Sequence, residues 1–577
     1  MAIANSQILN GLDPDQLAVV TAIRGPVCVI AGAGTGKTRV ITNRIAYAIN
    51  SGVTDPTKVL ALTFTARAAG EMRARLRNLG VPNVAARTFH SAALKQLLYF
   101  WPYSFGGQFP TLLTTKSGFI SQAIERAEIA IPAQAASLRE IASEIEWAKV
   151  LEISPDNYQA EAIAASRSIR LPNNKSEAEN LEIIAKVYEA YESLKRQERT
   201  LDFEDVLLLT VGMLEEDRGV RERVRDQYRY FTVDEYQDVS PLQQRLLNLW
   251  LGNREEICVV GDAAQTIYSF AGATSNFLLS FKNRFPNAQT FRLSTGYRST
   301  PEIINTANQI LRSANLVSDH GSELSSANSH GDKPLINGFN STGDEIAYVV
   351  SQVTKHINSG VDSSDIAILA RTNAQLDQIK SALNNSKIPS QVRSGERFFD
   401  RVDVRDAMRV IRSASVLPPE GGDWYEDLLS VLRPFGEADY VQGFLRLAKE
   451  IKEGSTDLDL IENIADSDST NSSNSTNSNN SRSTSMRTFL RELEDRAEQN
   501  NPPVLPGVTL ATLHSAKGLE WKQLFLIGVA DGLLPMSNSN DLNEERRLFY
   551  VGVTRAKENI QITYAGKPSS FLADLIN

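Results

Sequence analysis

Residues 27–38 read VCVIAGAGTGKT, an apolar run that opens into a glycine-rich segment closed by a lysine and a threonine. Successive backbone N–H groups in such a loop make a concave nest for phosphate oxygens, and a following helix adds the positive end of its dipole. The next residues, TRVITNRIAYAI, carry helical periodicity, so a strand–loop–helix context is expected. Lys37 would neutralise the outer phosphates of a nucleotide, and the Thr38 hydroxyl would hold Mg2+. Ala31 stands where the pattern G-x-x-x-x-G-K-[ST] has its leading glycine. Gly32, Gly34 and Gly36 still permit tight turns, so the loop Ala31, Gly32, Ala33, Gly34, Thr35, Gly36 is read as a working cradle.

A phosphate loop needs an acidic partner for its metal. YFTVDEYQD (230–238) supplies one, a β-rich run ending in Asp234 and Glu235. Asp234 would hold Mg2+ and Glu235 would orient and deprotonate an attacking water. Together the two segments predict an Mg2+-dependent ATPase.

The elements that must position these groups are short β-rich runs alternating with amphipathic helical stretches: VCVIAGA, KVLALTF, YFTVDEY and EICVVGD before residue 292, DIAILAR and KQLFLIGVA after residue 334. Strands separated by helices predict parallel α/β sheets, here two P-loop-type cores. The stretch 93–201 lacks such runs and reads as a helical insertion; 406–504 reads as a second, containing the tract DSDSTNSSNSTNSNNSRSTS (466–485), expected to be a disordered linker. The expected organisation is therefore 1–92 with 202–290 as the first core and 291–405 with 505–577 as the second, each core carrying a mainly helical insertion.

At 577 residues, 42% apolar and 22% charged, the chain has the composition of a multidomain globular protein. It has no apolar run long enough to span a bilayer and no signal-like N-terminus. Two cysteines, both in apolar runs, and five histidines argue against a disulfide framework or structural zinc and for a reducing, cytosolic compartment. The net charge of −9 does not decide for or against nucleic acid, because a groove needs only local cations and stacking surfaces.

Further segments carry a resemblance. LDPDQLAVV (12–20), LALTFTARAAGEM (60–72), ARTFHSAAL (86–94), LDFEDVL (201–207), VVGDAAQTIYSFAGA (259–273), LSTGYRST (293–300), VTLATLHSAKGLEW (508–521) and NEERRLFYVGVTRAKE (543–558) resemble, in order, the motifs of UvrD/Rep/PcrA-like superfamily 1 DNA helicases. The resemblance implies two RecA-like cores and an ATP-dependent helicase moving 3′–5′ on single-stranded DNA and unwinding duplex in repair. DNA junctions and repair or loading proteins would be its partners, in the cytoplasm and on the nucleoid when bound. It implies that Gln16 reads adenine, Tyr297 stacks on it, Arg39 lies nearby and Glu520 contacts ribose. Gln265 would sense the γ-phosphate, and Arg298 and Arg555 would reach it from the second core. Phe64, Tyr268 and Phe270 would stack on bases, with Thr88, His90, Arg371, Asn373 and His514 as further strand contacts. From the residues alone, Phe64 and Phe270 read equally as core packing, and His90 and His514 as structural histidines.

The chain also departs from the family pattern. Phe270 replaces a usual tryptophan, Gly296 replaces an asparagine and is expected to loosen its turn, and the second insertion is short and lacks the glycine-containing duplex-binding motifs. FFDRVDVRDAMRVI (398–411) does match the segment leading into that insertion, and no nuclease or accessory domain is expected after FLADLIN. Three rivals remain at this point: a translocase that strips proteins without unwinding alone, a DNA-binding scaffold with a decayed ATPase, and the motor subunit of a helicase–nuclease complex.

Overall fold

The computed structural model describes residues 4–576 apart from 133, 170, 174, 314–322, 394–397, 416–423, 437, 439, 450, 453–485, 488, 495, 498–502, 504–505, 538 and 540. The expected Ser/Asn linker, 466–485, lies outside the described residues.

Six strands form the first sheet: β1 (Val27–Ala31), β2 (Val59–Thr63), β3 (Ala85–Thr88), β4 (Tyr230–Val233), β5 (Ile257–Gly261) and β6 (Gln289–Leu293). Their order is β3-β2-β4-β5-β1-β6, with every pairing parallel. Val27, Val29 and Ala31 pack on one face with Val40, Ile41 and Ile45 of the helix Lys37–Asn50. Leu60, Leu62, Phe231 and Val233 pack on the other face with the helices Phe89–Ser104, Phe203–Glu216 and Pro241–Leu251. Burial on both faces is why β1, β2, β4 and β5 read as continuous apolar runs, whereas the edge strands β3 and β6, which are partly exposed, carry polar residues and do not.

The second sheet contains β7 (Leu335–Phe339), β8 (Ile366–Ala370), β9 (Ser390–Val392), β10 (Val508–Thr512), β11 (Trp521–Leu526) and β12 (Ala556–Ala565). It is also wholly parallel, in the order β7-β12-β11-β8-β10-β9, and is sandwiched between two apolar clusters. The fold is two RecA-like parallel α/β cores, as expected.

Residues 93–201 are helical with their own core around Ile141, Ile145, Tyr158, Ile184 and Tyr191. One feature differs from expectation: Thr111–Leu112 pairs in parallel with Thr200–Leu201 and closes the base of this insertion. Two-residue strands are too short to leave a period in the sequence. At the same base, Lys149 Nζ lies 2.8 Å from both Asp202 carboxylate oxygens and Lys195 Nζ lies 2.9 Å from one. Glu192, Asp202 and Asp205 are thus gathered around two lysines, so the cluster needs no metal. Asp202 also caps the helix Phe203–Glu216, which fixes the insertion to the first core. In the second insertion, Trp424, Phe444 and Phe489 pack with Val404 and Ile411 of the helix Val402–Ala414. Among the described residues, no helix is long and apolar enough to cross a membrane.

Candidate active site

β1 delivers the phosphate loop. Ala31 is its last residue, fully buried in the core and in register with Leu293 of β6, and its carbonyl accepts from Lys37 Nζ at 3.2 Å. The missing glycine is thus a strand position whose methyl packs inside; no positive φ is required there. The residues that do need glycine are Gly34 (φ +74°) and Gly36 (φ +85°). A Cβ on Gly34 would also come within 2.9 Å of Arg298 Cβ, so this glycine lets the second-core arginine approach the loop. Thr35 Oγ1 donates to Gly32 O at 2.9 Å and fixes the turn.

β4 delivers the acidic pair. Asp234 is buried, and the Thr38 hydroxyl lies 3.4 Å from its Oδ2. Burial, then the Glu235 charge beside it, pushes the Asp234 carboxyl up. Burial acts in the same sense on Glu235 but is outweighed by Lys37 and Lys517 with further help from Gln237, so its carboxyl is held low. A hydroxyl beside a buried carboxylate lacking enough positive charge is a donor set that fits Mg2+, a hard cation preferring oxygen. Glu235 adopts a left-handed conformation (φ 51°), and its Oε2 accepts from Gln237 Nε2 at 2.5 Å.

The second core faces this loop with two arginines. Arg298 Nε donates to Glu520 Oε2 at 2.5 Å and its Nη1 to Thr554 O at 3.1 Å. Arg555 is buried, its Nε donating to Val551 O at 2.9 Å and its Nη2 to Gln265 Oε1 at 3.3 Å. Burial, then Arg298, pushes the Arg555 guanidinium down to about 9, the signature of a cation short of a counter-charge. Lys37, Thr38, Glu235, Gln265, Arg298 and Arg555 line one cleft of about 660 Å³, together with Gly34, Arg39, Tyr297 and Glu520.

At the other end of the loop, Gln16 Nε2 donates to Thr35 O at 3.0 Å, while its buried Oε1 has no partner. An orphaned acceptor of this kind suits an exocyclic amine. Tyr297 is exposed, and its hydroxyl bonds Asp13; Arg39 Nη2 reaches Asn10 O at 3.3 Å. Glu520, expected at ribose, bridges Arg298 and Lys557.

Four of the expected strand contacts form one aromatic cluster across both cores. Phe64 stacks on Tyr268 (5.2 Å, 19°), and His514 lies 6.2 Å from Tyr268 and 5.7 Å from Phe270. Phe64 is 38% and Phe270 46% exposed, which takes both out of the core. Burial, then Arg371 and Lys517, lowers His514 to about 4, so it is neutral at pH 7. The other candidates sit differently. The Thr88 hydroxyl caps the helix Phe89–Ser104, accepting from Ser91 N at 3.1 Å. His90 turns its ring edge to Phe203 (5.9 Å), and its Nε2 is enclosed without a partner. Arg371 makes a two-pronged ion pair with buried Glu545, with Nη2 at 2.7 Å and Nε at 3.1 Å. Asn373 is exposed at the start of the helix Asn373–Asn385.

The description of the UvrD/REP helicase N-terminal domain matches residues 12–286, and that of the UvrD-like helicase C-terminal domain matches 291–415 and 438–567. The chain belongs to the UvrD-like helicase family. It is 41% identical to the ATP-dependent DNA helicase UvrD2 of Mycobacterium tuberculosis, the alignment covering 99% of this chain and 82% of that one. It is 28% identical to the ATP-dependent DNA helicase PcrA of Staphylococcus epidermidis, covering 97% and 84%.

Within this UvrD-like frame the structure adds residues that motif reading did not single out. Asp262 Oδ2 accepts from Gln265 Nε2 at 2.7 Å, and Lys517 Nζ donates to Asp238 Oδ2 at 2.5 Å and to Gln265 O at 2.7 Å. The signal was present as opposite charges inside two quoted segments, DEYQD and HSAKG, but nothing in a linear sequence pairs them. Phe203, in LDFEDVL, is 46% exposed against His90 and was likewise passed over. Gly296 does not loosen its turn: it is buried, pairs with Ser326, and a Cβ there would sit 3.3 Å from Ser325 O.

Proposed function

We propose that the chain is an ATP-dependent DNA helicase that moves 3′–5′ on single-stranded DNA and unwinds duplex during DNA repair, acting at single-strand/double-strand junctions. The observation that carries this reading is the cleft in which Lys37, Thr38 and Glu235 of one core face Arg298 and Arg555 of the other, with Gln265 touching Arg555.

The cores 1–92 with 202–290 and 291–405 with 505–577 would act as the two jaws. Lys37 neutralises the β- and γ-phosphates of ATP, Tyr297 stacks on the adenine and Gln16 accepts from its amino group. Mg2+ held by Thr38 and Asp234 would supply further neutralisation of the phosphate charge. Glu235, kept ionised by Lys37 and Lys517, orients a water and takes its proton. Arg298 and Arg555 stabilise the charge on the transferred phosphoryl group only when the cleft is closed, which links hydrolysis to domain movement. Gln265 and Lys517 carry that movement toward Tyr268, Phe270 and His514, where sequence-neutral stacking grips successive bases.

Strand displacement on 3′-tailed and 5′-tailed duplexes, measured beside DNA-stimulated ATP turnover, tests the reading. Displacement from the 3′ tail alone is expected. Strong stimulation without displacement from either tail would replace the helicase by a translocase, the reading favoured by the short second insertion.

A further inference from the structure

The nucleotide cleft continues beyond the phosphate loop. Its lining extends to Arg67 and Arg75, on one face of the helix Ala66–Asn78, and across the gap to Arg393, the residue after β9. Arg67 is held by Glu71 at 2.9 Å. Among the described residues, no carboxylate pairs with Arg75 or Arg393. Arg393 is largely enclosed, and burial, then the Arg67 charge beside it, pushes its guanidinium down to about 10. A partly desolvated cation set beside a second cation raises the energy of the empty site, and an incoming anion removes that penalty.

We propose that Arg67, Arg75 and Arg393 form an anion subsite of the cleft, separate from the phosphate loop, that takes a phosphate group. The planar donor fork of arginine suits phosphate. Of the carboxylates at this end of the cleft, Glu71 is held by Arg67 and Asp365 by Lys522, and Arg446 adds a further guanidinium, so cations exceed carboxylates there. Two sources of phosphate reach this place. Free phosphate is released into the same cleft by the proposed hydrolysis, and Arg67 lies three residues after Phe64, so a strand stacked on that ring brings its backbone near. Either source places a charge-sensitive contact between the helix Ala66–Asn78 of the first core and the edge strand β9 of the second, where cleft closure changes the gap.

The subsite is tested by binding, independently of turnover. The full chain, with its phosphate loop filled by ADP and Mg2+, is melted in sodium phosphate and in sodium chloride at matched ionic strength. Phosphate stabilises proteins generally, so the reading is the difference between wild type and variants. The phosphate-dependent rise in Tm is expected to fall by at least half in Arg393→Gln and in Arg75→Gln. Arg75 is exposed on its helix, so that variant tests the subsite even where Arg393→Gln folds poorly. In a second arm, oligothymidylate affinity is followed over a salt series. Loss of one backbone contact flattens the log–log slope by about 0.7. A lost phosphate response with an unchanged slope assigns free phosphate; a flattened slope assigns the DNA backbone. Variants matching wild type in both arms overturn the subsite. A failed helicase assay leaves this result untouched.

Discussion

Arg555 Nη2 donates to Gln265 Oε1 across 3.3 Å, joining two residues 290 positions apart and on opposite cores. The same Gln265 accepts from Lys517 at its backbone carbonyl and donates its side-chain amide to Asp262, so one residue registers the second core on one side and the end of β5 on the other. A contact made between two bodies is a point at which nucleotide state becomes domain position. Arg555→Ala is expected to lower kcat for ATP by ~10³-fold or more with a small change in KM. Gln265→Ala should keep nucleotide affinity but lose most of the stimulation of turnover by DNA. Steady-state ATPase with and without oligothymidylate measures both. Equal stimulation in wild type and Gln265→Ala would remove the coupling role.

The phosphate loop makes a contrast between two small substitutions. Ala31→Gly acts on a buried strand residue and should cost about 0.5–1 kcal/mol of stability while leaving turnover intact. Gly34→Ala forces a side chain into positive φ and against Arg298 Cβ 2.9 Å away. It should cost about 1 kcal/mol or more and sharply reduce turnover. Thermal melts beside ATPase rates separate the two, and a Gly34→Ala enzyme with normal kcat would refute the close approach.

The fold was legible because the inner strands β1, β2, β4, β5, β8 and β11 are buried on two faces and stand out as apolar runs between helices; the partly exposed edge strands β3, β6, β7 and β9 leave no such run. The residues gathered in the cleft were legible because a glycine-rich loop, an acidic strand end and arginine-bearing segments each have a local pattern. What the sequence could not express was partnership. Asp238 with Lys517, and Arg371 with Glu545, are ion pairs between segments far apart in the chain. The exposure of Phe64 and Phe270 was equally hidden, because an aromatic in an apolar run looks the same whether it packs inward or faces a groove.

The stacked pair Phe64 and Tyr268 predicts a local binding loss. Base stacking is worth about 1–3 kcal/mol per aromatic ring, so Phe64→Ala should weaken single-strand binding by roughly 5- to 150-fold. ATP turnover without DNA should persist, because neither Phe64 nor Tyr268 is among the residues lining the nucleotide cleft. Fluorescence anisotropy with labelled oligothymidylate gives the affinity. Unchanged affinity in both Phe64→Ala and Tyr268→Ala would move the strand elsewhere.

His90 predicts a pH dependence of stability. Burial, then the Lys116 charge, lowers its imidazole from an ordinary value of 6.5 to about 4. The unfolded chain therefore takes up a proton between pH 6.5 and 4 that the folded chain refuses. The stabilisation is complete above pH 6.5 and is lost as pH falls towards 4, by at most about 3 kcal/mol. Wild type should lose stability over that window more steeply than His90→Gln, as read by melting at half-unit steps of pH. Parallel curves would mean that the ring is reached by water.

Arg371 separates a strand contact from a structural role. Its guanidinium grips Glu545, whose side chain is only 6% exposed and also accepts from Met536 N. Removing one partner of such a pair strands the other charge, at a cost of about 3–5 kcal/mol. Arg371→Ala should therefore lower Tm before it lowers DNA affinity. Glu545→Gln should cost less, because Arg371, 19% exposed, can turn toward solvent. The double variant Arg371→Ala/Glu545→Gln should recover much of the loss, since no unpaired carboxylate remains buried. If Arg371→Ala instead keeps the wild-type Tm and weakens oligothymidylate binding, the arginine belongs to the strand track and Glu545 merely holds it in place.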